Sequence, residues 1–271
     1  MEQDLKAVSR QIREETVGSI GSIGIGHIGG CLSLAEILAV LYFKQMNIDP
    51  KNPQLAGRDR LIVSKGHAGP AVYAALALRG YFPKDDLMTL NASGTNLPSH
   101  CDMNRTPGID MTTGSLGQGF SCAVGVALAS RLRGEKAAIF TIIGDGESQE
   151  GQIWEAAMFA GNQKLNRLIA FTDCNNLQID GFVSQVNDIE PLEDKWRAFK
   201  WHTRVVDGHD LQAIDSAVTD ARGQDKPTMI IARTIKGKGV SSVVSMGAGN
   251  HNMPFGEEDA RKAIEELRSE P

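Results

Sequence analysis

The apolar positions of this chain fall into short continuous runs and helical stripes that alternate. Two runs frame the most informative stretch. Ile139 to Ile143 is apolar and partly β-branched, and Leu168 to Thr172 repeats the pattern. Between them lies a helix-like segment carrying Trp154, Met158 and Phe159. Short apolar runs bounded by turn residues read as buried strands, and the stripe between them as a helix. Strand, helix, strand predicts two parallel strands joined by a right-handed crossover. The first strand ends in Gly144-Asp145-Gly146 and the second in Asp173-Cys174-Asn175-Asn176. Parallel strands bring Asp145 and Asn175 to the same carboxyl-end edge, where open α/β sheets bind ligands.

The rest of the chain continues the alternation. Residues 2 to about 20 predict a helix with Leu5, Val8, Ile12 and Thr16 on one face. Gly18 to Gly30 is so glycine-rich that it reads as a loop shaped around a ligand, with His27 inside it. Ser33 and Glu36 form an S-x-x-E capping box before Ile37 to Leu41. Arg60 to Ser64 predicts a strand, followed by Lys65-Gly66-His67 and a helix from about Ala71 to Arg79. His67 then sits between a strand and a helix N-terminus, a natural anion position. Asn91 to Gly108, which holds His100, reads as a loop over the site. Thr112 to Gly119 leads into a helix of small residues from Ala123 to Leu132. Further on come a strand and turn at Trp201 to Asp210, a helix Leu211 to Ala221 capped by Asp210, and a strand Thr228 to Ala232. Val240 to Phe255 is irregular and holds His251; Glu257 to Arg268 predicts a closing amphipathic helix. The alternation predicts a single α/β domain with a parallel sheet flanked by helices over residues 1–271.

At 271 residues the chain is long enough for a substantial core. A net charge of −5 carries no nucleic-acid footprint, and no apolar run approaches the length of a membrane span. The charged N-terminus lacks a signal-peptide core, and four cysteines without a C-x-x-C pair suit a reducing cytoplasm.

Asp145 and Asn175 offer hard oxygen donors, which suit Mg²⁺ or Ca²⁺. Gly144 and Gly146 allow close approach to an anion. Carboxylate and phosphate repel unless a divalent cation lies between them, so the inferred ligand is a diphosphate held through a metal. His27, His67, His100 and His251 all fall in glycine-rich or irregular segments. Imidazoles there can bind phosphate or sugar hydroxyls and move protons near neutral pH. His202 and His209 have no such setting and read as structural. Lys236 and Lys238 follow a strand and could neutralise phosphate, or could simply be solvated. Glu150 and Glu155 on the crossover helix would ordinarily face solvent.

Taken together, these words resemble the N-terminal section of transketolase. Gly-Asp-Gly followed by Asn-Asn resembles a thiamine-diphosphate motif. Ser64 to His67, Thr112 to Gly119, Gly144 to Ala157 and Leu177 to Gly181 narrow it to that family, over nearly the whole chain. The resemblance implies the thiamine-diphosphate (diphosphate-binding) fold. It implies Mg²⁺, with Ca²⁺ or Mn²⁺ as substitutes, on Asp145, Asn175 and the Leu177 carbonyl. Gly146 and His67 would hold the diphosphate, helped by Lys236. Gly114, Ser115 and Leu116 would contact the aminopyrimidine side. His27, His100 and His251 would line the channel for a phosphorylated sugar, and Glu150 would lie towards a subunit interface. The implied reaction passes a two-carbon ketol unit from a ketose phosphate to an aldose phosphate, with the cofactor as electron sink.

The family also needs a pyrimidine-binding domain, which would come from a C-terminal partner subunit in an α2β2 assembly. Ile28 stands where many full-length members have Pro, and Asn250 where Trp is common. The same cofactor site would serve a 2-oxo acid dehydrogenase α subunit or a deoxyxylulose-phosphate synthase. A non-catalytic regulatory subunit is the reading from another class.

Overall fold

A computed structural model describes residues 4–269. Its centre is a five-stranded parallel sheet. The strands are β1 (Arg60–Val63), β2 (Ile139–Gly144), β3 (Leu168–Cys174), β4 (His202–Asp207) and β5 (Thr228–Arg233). Their order across the sheet is β1-β2-β3-β5-β4. The principal helices are α1 (Leu5–Ile23), α2 (Gly69–Arg79), α3 (Gln118–Leu132), α4 (Gly151–Asn162), α5 (Leu211–Arg222) and α6 (Glu257–Ser269).

Both faces of the sheet are covered, as a parallel sheet requires. On β2, Phe140 and Ile142 join the core beneath α1, α2, α5 and α6, whereas Ile139 and Ile143 point to the other side. There α3 and α4 pack with Phe120, Trp196 and Trp201. This alternation is the period-two signature of a strand buried on both sides. The crossover from β2 through α4 to β3 is as expected, with Ile139 opposite Leu168 and Gly144 opposite Asp173. That register places Asp145 and Asn175 together just past the strand tips.

Two expectations fail. The helix α1 does not stop before the glycines; it continues through Gly18 and Gly21 to Ile23, ending at Gly24 with φ 78°. Asp4 caps its start by accepting from the Lys6 and Ala7 N–H groups. Gly21 is tolerated because α6 crosses so closely that a Cβ there would lie 2.5 Å from the Ala260 Cβ. Packing thus outweighs a helix-propensity cost of about 1 kcal/mol. The second failure is the capping box. Ser33 hydrogen-bonds Gly30 O and Asp173, Glu36 pairs with Arg13, and the helix Ala35–Val40 starts without a side-chain cap.

The irregular Val240 to Phe255 stretch contains short pieces. Met253–Pro254 pairs antiparallel with Ile25–Gly26, which draws His251 beside His27. Leu177–Gln178 and Gly181–Phe182 form a small hairpin above the β3 tip. Among the described residues no helix is long and apolar enough to cross a membrane.

Candidate active site

A cavity of about 300 Å³ opens at the carboxyl ends of β2, β3 and β5. Its floor is the glycine turn after β2. The Asp145 carboxylate bridges two strand tips: Oδ1 accepts from Gly146 N at 2.8 Å, and Oδ2 from Asn175 N and Asn176 N at 2.8 and 2.5 Å. Asn175 Oδ1 accepts from Leu177 N at 3.1 Å. Burial, and then the charge of Asp173, push the Asp145 pKa up to about 6. A cation beside it would offset both effects.

The donors here are one carboxylate, one amide oxygen and one backbone carbonyl. No group of three His, Cys, Asp or Glu side chains among the described residues could hold a metal. An oxygen-only set of low charge fits Mg²⁺ completed by phosphate oxygens. The Leu177 carbonyl already accepts from Lys236 Nζ at 3.2 Å, which leaves it a second lone pair. The cradle fits an approaching anion too. A Cβ on Gly30 would sit 3.3 Å from Lys65 Nζ and 3.6 Å from His67 Nε2, and one on Gly146 would press on Gln178.

The four histidines predicted from their loops do converge. Ring centroids of His27 lie 5.3 Å from His67, 5.6 Å from His100 and 5.3 Å from His251. His67 and His251 line the cavity, with centroids 5.0 Å apart. Burial, then the Lys65 charge, drives the His67 pKa far below its usual value. Burial, then Lys236, lowers His251 to about 4. Burial and neighbouring charge lower His27, and burial lowers His100. All four lie below the ordinary imidazole value, so at pH 7 the cluster can offer hydrogen bonds and hold or pass a proton without adding positive charge. Charge comes from Lys236, whose pKa burial and then Lys65 bring down to about 8.

The other predicted positions are less concentrated. Leu116 and Glu150 line the cavity wall, where Glu150 is exposed. Gly114 backs onto His100, where a Cβ would meet its ring at 3.4 Å. Ser115 is exposed and outside the cavity lining. His202 and His209 lie away from the cluster on Asp220 and Glu36.

Three residues escaped sequence reasoning. Asp173 is wholly buried and pairs with Lys65 Nζ at 2.5 Å, with Ser33 and Thr234 hydroxyls on its oxygens. Although burial raises its pKa, Lys65 holds it below the ordinary value. Lys65 Nζ also donates to Gly30 O at 2.8 Å. Glu147 accepts from Gly117 N at 2.8 Å, Gly144 N at 3.0 Å and the Ser64 hydroxyl. It thereby ties together the loops after β1 and β2 and the one before α3. The only signals were the place of Lys65 inside the Ser64 to His67 word, that of Glu147 inside the Gly144 to Ala157 word, and that of Asp173 at the tip of the second strand.

Comparison with known proteins gives the chain a family. Residues 4–271 match the family described as "Transketolase, thiamine diphosphate binding domain". The chain is therefore a thiamine diphosphate-binding domain, and it belongs to the transketolase family. It is 59% identical over 268 residues to the 6-deoxy-6-sulfo-D-fructose transketolase subunit SqwG of Clostridium sp. (strain MSTE9), covering 98% of this chain and 97% of that one. It is 39% identical to an apulose-4-phosphate transketolase subunit from Actinobacillus succinogenes, covering 100% and 96%. Among solved structures, transketolase from Leishmania mexicana superposes with TM-score 0.91 at 30% identity, covering 99% of this chain and 42% of that one. The chain thus spans nearly all of the two subunit relatives and well under half of that longer transketolase.

Proposed function

We propose that this chain is the N-terminal subunit of a split transketolase. It would transfer a two-carbon ketol unit from an anionic ketose to an aldose phosphate, using thiamine diphosphate and Mg²⁺, for which Ca²⁺ or Mn²⁺ can substitute. A C-terminal subunit would complete the site in an α2β2 assembly. The observation that carries the reading is the meeting of Asp145 and Asn175 at neighbouring strand tips, linked by a 2.8 Å hydrogen bond. The near-complete coverage of two relatives named as subunits supports the need for a partner. Four unbridged thiols support a reducing, cytoplasmic setting.

Bound thiamine diphosphate supplies the electron sink for carbon–carbon cleavage. The chain's own residues bind and orient. Asp145, Asn175 and the Leu177 carbonyl offer oxygens to the metal; Lys236 and the glycine turn at Gly146 offer positive charge and room to the diphosphate. His67, kept neutral, donates a hydrogen bond without competing as a cation. Gly114, Ser115 and Leu116 would contact the aminopyrimidine side, and of the three Leu116 lines the cavity. His27, His100 and His251 are neutral imidazoles able to bind sugar hydroxyls and to hold or pass a proton. Glu150, exposed on the cavity wall, would lie towards the partner subunit.

The 59% relative is named for a sulfonated ketose. That favours, as a second reading of the donor, a sulfonate where others carry phosphate; both present a tetrahedral anion at the far end of the sugar.

The test is reconstitution with a C-terminal transketolase subunit. Mg²⁺-dependent binding of thiamine diphosphate is expected, with Asp145→Ala weakening it more than about 100-fold, since even outer partners of metal ligands cost 10–100-fold. Ketol transfer from fructose 6-phosphate and from 6-deoxy-6-sulfofructose decides the donor. Robust transfer by the purified chain alone would sink the split-enzyme reading.

A further inference from the structure

His209 lies outside the four-ring cluster, yet both of its ring nitrogens are committed. Nδ1 is 3.0 Å from Glu36 Oε2, and Nε2 receives the backbone N–H of Ile235 at 2.8 Å. An N–H can only donate, so Nε2 carries the lone pair and Nδ1 the proton facing the carboxylate. Glu36 is in turn gripped by both terminal nitrogens of Arg13, at 2.6 and 2.7 Å. Arg13 and Glu36 are each 6% exposed, and neither lines the cavity.

This chain of contacts ends on the residue before Lys236. A buried ion pair is weak evidence for stability, and its best-attested use is to fix one arrangement among several. Here it fixes a tautomer. The loop after β5 is held on its inner side by Thr234 Oγ1 on Asp173, by Asn250 Nδ2 on Lys236 O at 3.3 Å and by Gly237 N on Gly29 O at 3.0 Å. Ile235 is 47% exposed. Its N–H is held by His209, which lies on the turn after β4. Lys236 Nζ, one residue on, reaches the Leu177 carbonyl and His251 Nδ1, both at 3.2 Å.

We infer that His209 is a positioning residue for cofactor binding: the Arg13–Glu36 pair locks its tautomer, and its Nε2 then sets the backbone that aims Lys236 into the diphosphate end of the cavity. The inference rests on the proposed reading that this cavity takes thiamine diphosphate. It differs from a merely structural role, in which His209 would staple the turn after β4 to the Ala35–Val40 helix and nothing more.

The variants follow from the ring's two functions. His209→Asn keeps an N–H for Glu36 and loses the acceptor for Ile235. His209→Gln places an amide oxygen near the Nε2 position and restores it. Each is made in the full chain and purified with its partner subunit. Thiamine diphosphate with Mg²⁺ is titrated by calorimetry, and amide exchange is followed in the segment around Ile235. Losing the hydrogen bond that holds the loop at this point predicts affinity about fivefold weaker in His209→Asn, with turnover at saturating cofactor changed less than about twofold. Exchange at Ile235 should quicken, and His209→Gln should restore affinity and protection. In a Lys236→Met background, His209→Asn should weaken binding no further. An unchanged affinity in His209→Asn overturns the inference, as does an equal loss with and without Lys236. A wild-type complex that binds no thiamine diphosphate overturns the functional reading along with it, which separates the two failures.

Discussion

At the Asp145 end of the cavity the buried carboxylates are saturated with donors, whereas at the histidine end most rings have none. Asp145 takes three backbone N–H groups, Glu147 two and a hydroxyl, and Asp173 an ammonium and two hydroxyls. Among the described residues, the rings of His27, His67 and His100 make no hydrogen bond to protein, and His251 makes one, to Lys236. The first end is held in place before any ligand arrives, which is what preorganised binding of a fixed, highly charged group requires. The second keeps its donors and acceptors unspent, which is the state that the proposed binding of sugar hydroxyls needs.

The largest effect should come from breaking the saturated end. Asp173→Ala would leave Lys65, 3% exposed, with only the Gly30 carbonyl. Removing one partner of a buried pair costs about 3–5 kcal/mol. Urea unfolding should show that loss, and the double variant Lys65→Met with Asp173→Leu should recover much of it. A loss below about 1 kcal/mol in Asp173→Ala would show that this end is not rigidly anchored.

How far each end could be read from the sequence follows from the range of its contacts. Asp145 and Asn175 were legible because strand, glycine turn and crossover are local patterns, and parallel geometry does the rest. The histidines were legible as a set because glycine-rich loops cluster at one sheet edge. Asp173 and Lys65 were not, since each looks like an ordinary polar residue at a strand tip and they meet only across 108 positions. Glu147 resembled a turn carboxylate for the same reason. The glycines of α1 misled because what requires Gly21 is Ala260, on the last helix. Ser33 and Glu36 fitted a capping box, but Asp173, Arg13 and His209 recruit them elsewhere. In each case a tertiary partner overrode a sound local preference.

A smaller effect should follow from Glu147→Gln. Burial raises the Glu147 pKa, opposed by its three donors, which an ionised carboxylate alone can accept together. The amide would turn an N–H towards Gly117, Gly144 or Ser64 and leave a buried donor unpaired. The expected cost is about 1–3 kcal/mol in the unfolding free energy. An unchanged denaturation midpoint would mean that the loops meeting there are held by packing alone, and the contrast between the two ends would weaken.

The smallest effect tests the histidine end through pH. His251 has a folded pKa of about 4 against an ordinary 6.5. Between those values the unfolded chain binds more protons than the folded one, so stability rises with pH. The contribution of this group is present above pH 6.5 and is lost as pH falls towards 4. His27, His67 and His100 are lowered as well and act in the same direction. Urea midpoints measured from pH 7 down to pH 4.5 should therefore fall, and His251→Gln should fall less steeply. Parallel curves for the two proteins would mean that His251 is as well hydrated folded as unfolded. Its ring would then belong to an open rim, and the neutral pocket assigned to that end of the cavity would not exist.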